Sequence, residues 1–289
     1  MRLYLGDVRN DIKGYQSLAE FADTTKSLAN GTVQIDLGSC TFFYANMAAV
    51  LGPIVDGLWV TGNEVRFINV NAKVQRILSK NKFLDSYGFP PEEDLNHTTL
   101  KYKNFILKDN MGFQAYLRSY LPGKGLPRMT PLLYKAFLRN LLEIFQNCQS
   151  HSQSQYGVYV CGQFFPKKNT LDLTIADAGV GIRTNVRQFL GRKISSIDAM
   201  KWAMDASNST RKNGQPGGLG LKLLRQFIAK NGGKIQIVSR YGYYEFSGGN
   251  EKFQKMAGDL PGTTVNVEIN TADETSYCLT SELTQKNVF

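Results

Sequence analysis

A short glycine-bearing turn constrains the fold of this 289-residue chain more than any other segment. The residues Asp177-Ala178-Gly179-Val180-Gly181-Ile182 follow the apolar segment 170–176, whose composition predicts a strand. Glycines let the backbone approach a flat ligand closely, and an Asp at a strand end can accept a hydrogen bond from an exocyclic amine. The same residues also suit a plain Asx turn, so the turn alone leaves both interpretations open.

A long helical pattern over 131–150 precedes this turn, with Pro131 suited to the first helical position. Glu143 and Asn147 are four residues apart and therefore share one helix face. A carboxylate there can accept a proton from water or a hydroxyl. An amide oxygen is a ligand that suits Mg²⁺. Such pairs are also common on solvated helix faces, so this pair is weak evidence when it stands alone.

A second glycine cluster at 214–221 leads into a predicted helix over 219–230. Glycine-rich backbone at a helix N-terminus is suited to binding phosphate. The cluster lacks the Lys-Ser/Thr of a Walker A loop and is not a GxGxxG after a first strand, which argues against P-loop and Rossmann folds. A structural glycine hinge is the alternative interpretation.

Periodicity predicts the remaining elements of an α/β (α+β) chain. The predicted strands are 33–37, 65–70, 99–107, 156–164, 170–176, 234–239 and 264–269. The predicted helices are 45–60, 72–80, 112–121, 131–150 and 219–230. A long irregular, basic stretch is expected after the first glycine turn, up to about residue 215.

The order and spacing of the three motifs resemble those of the GHKL ATPase superfamily, which includes gyrase B, Hsp90, MutL, histidine-kinase catalytic domains and anti-sigma serine kinases. LLEIFQNCQSHS resembles the N box of that superfamily, DAGVGI its first glycine box and GGLGL its second. Pro261–Val265 resembles the Gly-Thr strand that closes the fold. The resemblance covers about 100–272 and implies a Bergerat α/β sandwich, with helices on one face of a mixed sheet.

The resemblance also implies an ATP and Mg²⁺ site. It makes Glu143 the general base, Asn147 the Mg²⁺ ligand and Asp177 the acceptor of the adenine amine. Thr263 would support the adenine site through water, and residues 183–216 would form a mobile lid. The other implied contacts to the base and phosphates are Gly179, Gly181, Ile182, Arg211, Lys212, Gly217, Gly218, Leu219, Gly220 and Leu221. Arg211 and Lys212 equally fit the simpler interpretation of solvated lid charges.

The first ninety residues resemble a STAS domain, the fold of anti-sigma-factor antagonists, through Ile35-Asp36-Leu37, Thr41-Phe42-Phe43 and the helix AAVLG. The Ser that is phosphorylated in that family falls at Ala45, so the resemblance implies a docking or dimerising module and no phospho-switch. The expected domains are a STAS-like mixed sheet with helices over 1–90, a linker over 91–98, a GHKL domain over 99–273 and a polar tail over 274–289.

The formal net charge of +10 is concentrated in one stretch of the sequence. Residues 178–235 hold eleven Lys and Arg against two Asp and Glu, and they enclose the predicted lid. Such an excess indicates an anionic partner. Because few aromatic residues interleave with these cations, the pattern favours the triphosphate of ATP and an acidic protein partner over nucleic acid.

Together these features predict a cytoplasmic, ATP-binding regulatory protein. No apolar run is long enough to cross a bilayer. His97 and His151 are the only histidines and neither lies on a dimerising hairpin, which argues against a self-contained histidine kinase. We expect Mg·ATP-dependent signalling control of a protein partner, such as a sigma-factor-type regulator or a STAS protein, by slow ATP hydrolysis or Ser/Thr kinase activity. A non-catalytic ATP-sensing scaffold is the alternative, and the oligomeric state stays open, with a homodimer as one option.

Overall fold

A small sheet, a large sheet and a two-stranded sheet, together with the helices around them, form the part of the chain that the computed structural model describes, residues 1–205, 208 and 219–286. The small sheet contains β1 (Arg2–Tyr4), β2 (Thr32–Asp36) and β3 (Glu64–Ile68), in that order. Three helices accompany it: α1 (Ile12–Thr25), α2 (Ala48–Val60) and α3 (Ala72–Lys80). We call residues 1–90 the N-terminal module.

The strands of the small sheet pair in parallel, with Gln34 opposite both Arg2 and Arg66. The resemblance to STAS domains predicted a mixed sheet here, and no antiparallel pair occurs among the described residues of this sheet. The pattern β1–α1–β2–α2–β3 explains the difference, because a helical crossover between consecutive strands returns the chain in the same direction. Helix α1 begins at its N-cap Asp11, whose Oδ1 accepts a hydrogen bond from the Gly14 N–H (3.0 Å).

The large sheet has five strands in the order β4-β6-β7-β9-β8, and every neighbouring pair is antiparallel. A mixed sheet was therefore the wrong expectation for its pairing. In chain order the elements of this part of the chain are β4 (Thr99–Phe105), α4 (Asn110–Tyr120), β5 (Arg128–Met129, outside the large sheet), α5 (Pro131–His151), β6 (Val158–Phe165), β7 (Thr170–Asp177), α6 (Gly181–Leu190), α7 (Ser196–Met204), α8 (Leu219–Asn231), β8 (Lys234–Ser247) and β9 (Asn250–Asn270).

Both faces of the large sheet are covered. On one face, side chains of α4, α5 and α8 form an apolar core that includes Phe113, Phe145 and Leu224. On the other face, α1 and α2 contact strands β6, β7 and β9, and a single core joins Tyr15 of the module to Tyr243 of the sheet. Helices α4, α5 and α8 therefore pack on one face of the large sheet, as expected, and the N-terminal module covers the opposite face.

Two segments differ from the sequence-based expectation. Helices α6 and α7 occupy much of the stretch that was predicted to be irregular, and they contact the end of the large sheet at β8 and β9. Beyond residue 273, β10 (Ser276–Tyr277) pairs in parallel with β5 and α9 (Thr280–Lys286) follows it. None of the described helices has the length and apolar character needed to span a bilayer.

Candidate functional site

A cleft with a cavity volume of about 200 Å³ lies where α5, the end of β7, α6 and α7 meet beside strands β8 and β9. Its walls combine apolar side chains with a few polar ones. The lining residues are Asn140, Glu143, Ile144, Asn147, Cys148, His151, Ser152, Asp177, Ile182, Asn185, Val186, Trp202, Ala203, Met204, Asn208, Leu221, Ile237, Thr263 and Val265. Mostly apolar clefts with a few convergent polar groups are typical of small-molecule sites.

Asp177 closes β7 and is 2% exposed. Its Oδ1 accepts hydrogen bonds from the backbone N–H groups of Gly179 (2.8 Å) and Thr263 (3.3 Å). Burial raises the pKa of this carboxyl to about 6, and these hydrogen bonds, with one from the Cys148 thiol, oppose the rise. At neutral pH most Asp177 side chains are therefore ionised, and an ionised carboxylate only accepts hydrogen bonds.

Cys148, on α5, is a polar contact of Asp177 that sequence reasoning missed. It is buried and lines the cleft next to the carboxylate. Burial and the negative charge of Asp177 raise the pKa of the thiol well above its ordinary value. The side chain is therefore a neutral hydrogen-bond donor and a poor nucleophile, since the thiolate is the reactive form.

The segment that carries Thr263 packs against Asp177 through Gly262. This glycine has φ +73°, and a Cβ there would lie 1.9 Å from the carbonyl oxygen of Asp177. Ser239 fastens the same region: its Oγ accepts from the Ile182 N–H (2.9 Å) and donates to the Gly262 carbonyl (2.9 Å). Its contribution was not predicted, because Ser239 reaches the cleft through contacts with α6 and β9, which are distant from it in sequence.

Glu143 and Asn147 lie on α5, are half-buried and both line the cleft, as their helical spacing predicts. Helix α5 begins after its N-cap Thr130, whose Oγ1 accepts from the Leu133 N–H (3.3 Å), and Pro131 fills the first turn. Asn140, which precedes Asn147 by two turns, also lines the cleft and was missed, although the same periodicity could have found it.

The first glycine turn needs glycine at both positions because the chain packs too closely there for a side chain. Gly179 packs against the end of α5, and Gly181 packs against β8. A Cβ on Gly179 would lie 1.9 Å from the Ser152 carbonyl oxygen, which accepts a hydrogen bond from the Val180 N–H (2.7 Å). Gly181 has φ +79° and lies against Ser239. Neither glycine is among the described residues that line the cleft, so their direct contact with a ligand stays a prediction.

The other predicted contacts divide into two groups. Ile182 and Leu221 line the cleft, and Leu219 and Gly220 are the first two residues of α8. Arg211, Lys212, Gly217 and Gly218 lie outside the described residues. The expected mobile lid over 183–216 is described up to residue 205 and at 208, where it contains α6 and α7.

Residues of α6 and α7 form a wall of the cleft that the sequence did not predict. Asn185 donates from Nδ2 to the His151 carbonyl (2.8 Å) and so ties α6 to the end of α5. Trp202 and Met204 of α7 complete this wall. These residues were missed because the stretch that holds them was expected to be irregular.

A dedicated metal cage is absent from the described part of the chain, where no three His, Cys, Asp or Glu side chains cluster as ligands. Asn147 and Glu143 nevertheless present oxygen atoms to the same cleft. Mg²⁺ needs few protein ligands because it retains water and binds through phosphates of a substrate. The donor set therefore fits a Mg²⁺ that enters with a phosphorylated ligand.

Comparison with known proteins gives two findings. No curated protein matches this sequence. The segment 134–273, which holds α5 to β9, matches the family model described as histidine kinase-, DNA gyrase B- and HSP90-like ATPase. The match does not extend to the N-terminal module, whose STAS-like character stays a prediction. Residues 134–273 therefore form a domain of the histidine kinase-, gyrase B- and HSP90-like ATPases.

Proposed function

We propose that this chain binds Mg·ATP in the cleft and uses it to control a protein partner. The buried Asp177 carboxylate is the observation that carries the proposal, because it lies in a cleft of the domain that matches an ATPase family. An ionised carboxylate that backbone donors hold in place is suited to accept the N–H of an adenine amine. Ile144 and Val265 offer apolar walls that fit a flat ring.

Three further side chains have roles in this proposal. Asn147 would hold Mg²⁺ through its amide oxygen, and Thr263 would support the adenine site through water. Glu143, one turn before Asn147, would accept the proton of the attacking water or hydroxyl at its carboxylate. Bound Mg·ATP supplies the phosphoryl group and the positive charge that neutralises it. The chain itself supplies positioning and proton acceptance, which is most of what phosphoryl transfer requires from a protein.

Two reactions are compatible with this site. Glu143 would activate water in slow ATP hydrolysis, or the Ser/Thr hydroxyl of a partner in a kinase reaction like that of anti-sigma kinases. A non-catalytic ATP-sensing scaffold is the alternative function. The N-terminal module would support a regulatory role as a STAS-like docking part, and it packs directly on the sheet whose strand β7 ends in Asp177. The proposed partner is a sigma-factor-type regulator or a STAS protein.

Calorimetry of the full chain with Mg·ATP tests nucleotide binding. We expect Asp177→Asn to weaken binding by about tenfold to a hundredfold, the range for one lost hydrogen bond to a charged group. Asp85→Asn is the matched control, since Asp85 is exposed and contacts Lys82 on the N-terminal module. Equal affinities of the wild type and Asp177→Asn would disprove the role of Asp177.

Labelled ATP separates the reactions. Glu143→Ala should keep the ATP affinity of the wild type but lose phosphate release or transfer of label to a partner protein encoded nearby. Release without transfer supports hydrolysis, and transfer supports a kinase. Binding with neither release nor transfer would favour the scaffold.

A further inference from the structure

Helix α6 and the loop after it present a cluster of exposed cations. Arg187, Arg192 and Lys193 form this cluster, which we call the α6 basic surface. Arg183 lies one turn before Arg187 and is exposed as well, with its Nε donating to the Ile194 carbonyl (3.0 Å). That hydrogen bond ties the loop after α6 back to the helix.

The positive charge of this surface is not neutralised locally. None of its three cations forms an ion pair with a described residue. Asp198, an acid nearby in sequence, accepts a hydrogen bond from the Oγ of Ser195 (2.6 Å), which is the N-cap of α7. An uncompensated cationic surface attracts anionic partners over long range and orients them.

Phe189 is an exposed apolar side chain on the same helix, two residues from Arg187. Its side chain is 53% exposed, although its ring contacts Trp202 at a centroid distance of 5.4 Å. Aromatic and Arg side chains are enriched in protein interfaces, where a few of them carry most of the binding energy. An exposed Phe among arginines therefore has the composition of a protein-binding surface.

We propose that an acidic segment of a protein partner docks on the α6 basic surface and places an apolar side chain on Phe189. Trp202, which Phe189 contacts, also lines the cleft, so docking changes the affinity of the cleft for nucleotide. Docking itself does not require bound nucleotide. The coupling to the cleft rests on the proposed function.

A protein partner fits these residues better than a nucleic acid does. Proteins that bind single-stranded nucleic acid use a series of aromatic side chains along a basic groove. Between residues 183 and 205 the only aromatic residues are Phe189 and Trp202, and they contact each other.

The docking test uses fluorescence anisotropy of a short Glu-rich peptide with one central Leu, added to the full chain without nucleotide at an ionic strength of about 0.1 M, where charges more than about 10 Å apart are largely screened. Arg187→Glu, Arg192→Glu and Lys193→Glu combined should weaken binding by about tenfold or more, since charge reversal turns attraction into repulsion. Phe189→Ala should weaken it by about threefold or more through loss of the apolar anchor. Circular dichroism checks that each variant is folded.

Matched controls identify the surface and the partner class. Lys13→Glu, Lys73→Glu and Lys230→Glu combined make the same charge change at exposed sites elsewhere and should alter the affinity by less than about twofold. An equal loss in this control, or no peptide binding by the wild type, would overturn the proposal. Single-stranded DNA with the same charge as the peptide tests nucleic acid as the partner. If this DNA displaces the peptide, and if combining Arg187→Glu, Arg192→Glu and Lys193→Glu weakens DNA binding as much as peptide binding, the proposal is overturned in favour of nucleic acid.

Nucleotide then tests the coupling. Saturating Mg·ATP should change the affinity of the wild type for the peptide, and Phe189→Ala should abolish this change. If calorimetry shows that the wild type binds ATP but Mg·ATP leaves its affinity for the peptide unchanged, the coupling is overturned. Absence of ATP binding would instead disprove the proposed function and leave the result on docking intact.

Discussion

Asn10 Nδ2 lies 2.6 Å from Oδ1 of Asp172 and donates a buried hydrogen bond that joins the N-terminal module to the outer face of the large sheet. Asn266 of β9 donates to the same oxygen (3.0 Å). Asn46 of the module donates from Nδ2 to Oγ1 of Thr174 (2.9 Å), which is the next residue of β7 on the same face as Asp172. Polar groups thus cross an otherwise apolar junction, which fixes how the module sits on the sheet.

Asn10→Ala should destabilise the protein by about 1–3 kcal/mol, since it removes one donor of a buried carboxylate. Because one apolar core spans module and sheet, urea unfolding should remain a single transition with a lower midpoint. Gln188→Ala, which shortens an exposed amide on α6, is the control and should leave the midpoint nearly unchanged. Separate transitions of module and domain in the wild type would contradict the shared core.

Stability should decrease as the pH rises towards neutrality. Burial and the negative charge of Glu268 raise the pKa of Asp172 to about 7 from 3.8, and its Oδ2 has no hydrogen-bond partner among the described residues. Between these values the folded state binds more protons than the unfolded state, so the free energy of unfolding falls as the pH increases. The stabilisation is complete below the unfolded value and is lost as the pH passes through about 7.

Urea unfolding at several pH values measures this effect. Between pH values of about 5 and 8 we expect the free energy of unfolding to drop by about 2–4 kcal/mol, mostly through the raised pKa of Asp172 and less through that of Asp177. In the variant Asp172→Asn the free energy of unfolding should change little with pH above about 6, because the titration of Asp177 contributes less there. A wild type that becomes more stable over this range would show that Asp172 is ionised in the folded state.

Local signals account for the elements that sequence reasoning located. The helix over 72–80 coincides with α3, and the strand and helix around the first glycine motif are placed within one or two residues. Glu143, Asn147 and Asp177 line one cleft, and the resemblance to GHKL ATPases had implied a shared site for them. In these segments periodicity, capping and burial agree.

The missed features depend on contacts between distant segments. The covering of the sheet by α1 and α2 depends on contacts between segments about a hundred residues or more apart in the chain, and the position of α7 depends on the strands that it packs against.

The long β8–β9 hairpin was missed although a local signal for it exists. The segment 240–247 is rich in aromatic residues and is followed by Gly248-Gly249, which is a recognisable hairpin signal.

The C-terminal segment, expected to be a frayed polar tail, should stabilise α5. Glu282 Oε2 accepts hydrogen bonds from the Oγ1 of Thr130 (2.7 Å) and the N–H of Leu279 (2.7 Å). Thr130 is the N-cap of α5, so Glu282→Ala should lower the free energy of unfolding by about 1 kcal/mol. Thermal unfolding measures this, with Glu274→Ala as the control at an exposed site. Equal melting temperatures of the two variants would show that the tail does not contribute.

Gly262 offers a test of how precisely the backbone must approach Asp177. Gly262→Ala introduces a Cβ at 1.9 Å from the Asp177 carbonyl oxygen, in a residue with φ +73°. Gly249→Ala is the matched control: Gly249 has a similar φ of +81°, but a Cβ there meets no atom within 4 Å.

Backbone strain alone costs about 1 kcal/mol, so Gly249→Ala should lower the free energy of unfolding by roughly that amount and keep its ATP affinity. Gly262→Ala should lose about 2 kcal/mol more and bind ATP at least about tenfold more weakly, because it displaces the strand that donates the Thr263 N–H to Asp177. Urea unfolding and calorimetry on both variants measure this, and equal losses in the two would show that the Asp177–Thr263 contact tolerates displacement.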